Sequence, residues 1–71
     1  MPRRIEYHYG GPYPPPTETV EIGPEDPVPE IGDTVRRHER DWTVVNKTTN
    51  ILHPQGQEPI TTYILELAPV G

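Results

Sequence analysis

In residues 3 to 9, apolar and aromatic side chains take every second position: Ile5, Tyr7 and Tyr9 alternate with Arg4, Glu6 and His8. Successive side chains of a strand point to opposite faces, so this pattern predicts a half-buried β-strand. Residues 17 to 22 repeat it, with Val20 and Ile22 on one face and Thr19 and Glu21 on the other. Residues 31 to 37 read as a turn into a short strand, and residues 38 to 41 as the polar turn that follows. Residues 42 to 52 are rich in β-branched side chains. Trp42, Val44 and Leu52 share one parity there while Val45 and Ile51 share the other, so a bulge or bend is expected near residues 46 to 50. Beyond a loop at 53 to 59, residues 60 to 67 form a last predicted strand, with Tyr63, Leu65 and Leu67 inward and Thr62 and Glu66 outward. No ten-residue window free of proline and glycine carries the i, i+3, i+4, i+7 spacing of an amphipathic helix.

The expected class is therefore all-β: five strands closing into a small antiparallel barrel or a compact two-sheet sandwich, because closure removes exposed edges. With 71 residues there is room for one small core and one folding unit. Within it, residues 1 to 30 read as a proline-rich acidic arm with one or two strands, and residues 31 to 71 as the small β-barrel core. Eight of the eleven prolines lie in the arm, where two arginines face six acids for a charge of −4; the remainder, with four bases and five acids, carries −1.

The run Ile31-Gly32-Asp33-Thr34-Val35, followed by Trp42-Thr43-Val44-Val45, resembles the opening of SH3-like small barrels. In that family a Gly-Asp turn leads into the first strand and a tryptophan or apolar residue starts the next. The resemblance covers residues 30 to 67 and implies a small-barrel fold for that stretch.

Composition then narrows the chemistry. The chain has no cysteine and no serine, and its one lysine, Lys47, sits in a polar stretch, so nucleophilic catalysis is not expected. His8, His38 and His53 are widely spaced and have no thiolate to join them, so no metal or other cofactor is expected. No apolar run approaches the roughly 20 residues of a membrane span, and the first residues hold no apolar signal core, so a cytoplasmic protein is expected.

Two clusters remain as candidate sites. Residues 10 to 16, Gly-Gly-Pro-Tyr-Pro-Pro-Pro, favour a polyproline II segment with little conformational entropy left to lose on docking. Tyr9, Tyr13, Pro14, Pro15, Pro16 and Trp42 are accordingly the candidate protein-binding residues, although the favoured reading of residues 10 to 16 is a stiff connector between the first two strands, lying over its own barrel with Tyr13 as a plug. Arg36, Arg37, Arg40 and Lys47 around Trp42 form the second cluster, which would suit a single-stranded nucleic acid by phosphate neutralisation and base stacking. Interleaved acids and a net charge of −5 oppose that use. The expectation is a non-catalytic protein-interaction module, an accessory or assembly component of a larger complex. Its unpaired edge strands also admit a homo-oligomer in which the arm is exchanged.

Overall fold

A computed structural model describes residues 2–70 and contains five strands: β1 (Arg3–Tyr9), β2 (Glu18–Ile22), β3 (Thr34–Arg37), β4 (Arg40–Leu52) and β5 (Ile60–Pro69). They form one sheet in the order β2-β1-β5-β4-β3, curled into a half-barrel, with no helix among the described residues. Among the described residues, no helix is long and apolar enough to cross a membrane.

The pairing is not antiparallel throughout. β1 lies parallel to β5, with Ile5 beside Tyr63, Tyr7 beside Leu65 and Tyr9 beside Leu67. Neighbours β1–β2, β3–β4 and β4–β5 are antiparallel, so strand direction alternates along the chain. The curl replaces the second layer that a flat sheet of this size would need, by folding the apolar face onto itself.

That face carries the core. Ile5, Tyr7 and Tyr9 from β1, Trp42 and Val44 from β4, and Leu65 and Leu67 from β5 are all buried. Burial of one such side chain stabilises by about 1.5–3 kcal/mol, and the three interior strands, β1, β5 and β4, supply all seven. Val20, Ile22, Val35 and Tyr63 pack around this cluster. The connection from β2 to β3, residues 23 to 33, crosses the concave side and adds Val28 to it. Arg3 ties this strap down by donating to the carbonyls of Gly23 at 2.8 Å and Asp26 at 3.2 Å.

The expected irregularity of β4 falls one residue earlier than residues 46 to 50, as a register shift between Val44 and Asn46. Val45 is the extra residue. The shift keeps Trp42 and Val44 inward and then sets Lys47 opposite Leu65 and Thr49 opposite Tyr63. Thr62 departs from its outward expectation: it is on the convex face but only 2% exposed, being the central rung between Arg4 and Asn50. A strand of 13 residues spans about 43 Å, which accounts for the 44 × 23 × 19 Å dimensions.

Candidate docking loop and the clasp beneath it

The outer strands of the sheet, β2 and β3, have no ladder between them; side chains join them instead. Glu18, at the start of β2, sits opposite Tyr7 on the inward face. Its Oε1 accepts from the Tyr9 hydroxyl and from Arg37 Nη2 at 3.4 Å, and lies 2.8 Å from His38 Nε2. Arg37 Nε donates to the Tyr9 hydroxyl at 3.1 Å, and its guanidinium stacks 4.3 Å from the Tyr7 ring centre. The Arg37 carbonyl in turn accepts from Trp42 Nε1 at 3.0 Å. His38 reaches Glu18 because the β3–β4 turn is tight, with both His38 and Glu39 at positive φ, 53° and 61°. Two-residue hairpin turns of this twist need that conformation at both positions.

Charge in the clasp follows the contacts. Hydrogen bonds from Tyr9 and then His38 stabilise the ionised carboxylate and bring Glu18 down to about 2. Burial, and then the bond to Glu18, raises the Tyr9 phenol above its usual value. Burial pulls the Arg37 guanidinium down, but Tyr9 and Glu18 outweigh it and leave it raised. These groups satisfy one another, and no water-excluding cleft opens beside them. A shallow groove of about 320 Å³ lies elsewhere, between Pro27-Val28-Pro29 of the strap and Asp33, Thr34 and Val35.

Sequence reasoning missed Glu18, although it left a trace there. The residue shares parity with Val20 and Ile22, and an acid in an inward register is a polar group that needs partners. Nothing local shows that the partners come from β1 and from a turn twenty residues away.

Tyr9 and Trp42, expected at contacts, are instead core residues, 8% and 1% exposed, with ring centres 4.8 Å apart. Both fall in inward registers at the centre of the curl, where burial outweighs any gain from presenting the rings. The basic cluster is likewise dispersed. Arg36 pairs with Asp41 at 3.1 Å, Lys47 with Glu30 at 2.8 Å, and Arg37 with Glu18. The Arg40 guanidinium lies 5.3 Å from the centre of the Trp42 ring, which is too buried to stack on a base. No basic groove with an open aromatic floor results.

Residues 10 to 16 are different. Gly10 N–H donates to the Leu67 carbonyl at 2.8 Å, and a side chain there would bring its Cβ within 3.0 Å of that oxygen. Gly11 then turns the chain at φ 88°, and Tyr13 follows at φ 55°, a left-handed conformation that strains a non-glycine residue. Tyr13 is 98% exposed. Pro14 and Pro16 are exposed and Pro15 half-buried, without secondary structure. The loop thus leaves the sheet at a fixed point and presents an aromatic ring ahead of three prolines, while the clasp holds the strand into which it returns. Compared with known proteins, the chain matches no family model, no curated protein and no solved structure.

Proposed function

We propose that the chain is a non-catalytic protein-interaction module, an accessory or assembly component of a larger complex, built on an SH3-like small half-barrel. The SH3-like stretch corresponds to the β3–β4–β5 meander, and β1 with β2 completes the curl. The docking element is Tyr13-Pro14-Pro15-Pro16. The observation that carries this reading is Tyr13 itself, 98% exposed and held at positive φ on a loop whose base is anchored. An exposed ring in a strained backbone conformation contributes nothing to folding, whereas a backbone already restricted by three consecutive prolines loses little entropy when it enters an aromatic-lined groove. The fold absorbs Tyr9 and Trp42, so Tyr13, Pro14, Pro15 and Pro16 remain as the contact set.

The test is a titration of the fluorescently labelled chain against a panel of domains that read polyproline II through aromatic grooves, with Tyr13→Ala as control. Binding is expected to weaken about tenfold or more in the variant, as for an aromatic anchor at an interface. If no groove binds more tightly than about 1 mM, or if Tyr13→Ala binds equally well, the docking role fails.

A further inference from the structure

The sheet has three stretches of unpaired strand edge, and they are unequally guarded. β2 has five residues, includes Glu18 and Glu21, and is flanked by Pro16 and Pro24. β3 has four residues, two of them arginines. Short length, charge and proline are the features that stop a strand edge from pairing with another chain.

The third stretch is on β4. Its register with β3 ends at Thr43, and the backbone of Gly32 and Asp33 continues the edge only to Val44, at 2.8 and 2.9 Å. From Val45 to Leu52, among the described residues, the one backbone group bonded outside the β4–β5 ladder is the Lys47 N–H, which donates to Oδ1 of the neighbouring Asn46 at 3.0 Å. This segment contains no proline, glycine, aspartate or glutamate. Val45, Ile51 and Leu52 are 53%, 51% and 44% exposed. Its one charge, Lys47, is turned inward over Tyr63 and paired with Glu30.

We infer that this edge pairs antiparallel with the same edge of a second copy, giving a two-fold symmetric dimer with one sheet continuous through both chains. Two observations select a copy of the chain as the occupant. A protein of charge −5 repels itself over most of its surface, but here the edge bears no acid and its lysine is already neutralised. The open window also ends at Val44 on one side and at the loop after Leu52 on the other, and a two-fold axis brings each end against the opposite end of its partner. An axis at Thr49 sets Thr48 opposite the partner subunit's Asn50, and Lys47 opposite the partner subunit's Ile51. Paired residues have equal parity, so inward faces meet inward faces. Such an isologous contact closes at two copies and leaves no open β4 edge.

The experiment is light-scattering mass measurement of the full chain across a concentration series, with two variants. Wild type is expected at twice the chain mass. Thr48→Asp/Asn50→Asp places like charges opposite each other twice and is expected to weaken association about tenfold or more. Thr48→Lys/Asn50→Asp places opposite charges across the same pairs and is expected to remain dimeric. Fluorescence of buried Trp42 reports whether each variant is folded. Should the double aspartate unfold the chain, amide exchange in wild type decides: exchange in residues 47 to 51 slows with concentration if the edge pairs. A wild type that stays monomeric with concentration-independent exchange overturns the inference. So does a dimer indifferent to both charge patterns, or association with a foreign extended peptide but not with itself.

Discussion

Removing one oxygen from the clasp by Tyr9→Phe leaves the ring in place, against Trp42 at 4.8 Å and Tyr7 at 6.4 Å between centres. The variant loses the bond donated to Glu18 and the one accepted from Arg37. Each engages a charged group, and such a hydrogen bond contributes about 1.5–3 kcal/mol. Glu18 and Arg37 still contact each other, and His38 still faces Glu18, so neither charge is left without a partner. The net loss is therefore expected near the value of a single bond, about 2 kcal/mol, rather than the sum of two. For a domain of this size that lowers Tm by about 8–16 °C. Urea denaturation followed by Trp42 fluorescence measures it well, because Trp42 is 1% exposed and bonded to the Arg37 carbonyl. If the clasp joins the sheet edges as one unit, Tyr9→Phe and Glu18→Gln together cost less than their separate effects added. A loss below about 0.5 kcal/mol for Tyr9→Phe, or strict additivity with Glu18→Gln, would refute the clasp as the closing device.

Two other outcomes follow from the same geometry. Leu65→Ala, at a fully buried site on a central strand, is expected to cost about 3 kcal/mol from lost burial and a residual cavity; a chain of this length has about 4–10 kcal/mol in total, so the urea midpoint should fall sharply, and an unchanged midpoint would place the core elsewhere. Glu18 is held at about 2 in the fold against 4.5 when free, so its contribution is fully present above about pH 4.5 and is lost as pH falls toward 2; acid titration of the urea midpoint should be flatter across that window in Glu18→Gln, and identical slopes would count against the contacts described.

All five strands were legible from local pattern: β1, β2 and β5 alternate as half-buried strands must, while β3 and β4 are marked by the turn signals beside them and by β-branched side chains. Ile5, Tyr7, Leu65 and Leu67 could be placed inward by parity alone, since the side-chain period of two leaves no other face for them. The missing nucleophiles could also be read directly, as composition does not depend on what lies across the sheet; the connector with Tyr13 as a plug could not, and it fails because Tyr13 is 98% exposed. Pairing partners were another matter. That β1 lies parallel beside β5 depends on where the β2–β3 strap carries the chain, and a strap of prolines and acids has no pattern that aims it. Burial of Tyr9 and Trp42 followed from the curl, which brings together strands thirty residues apart. The local sequence determined which residues form strands and which way each strand faces. Only the tertiary structure decided which edges remain open and which charges are already paired, because both depend on contacts between segments distant along the chain.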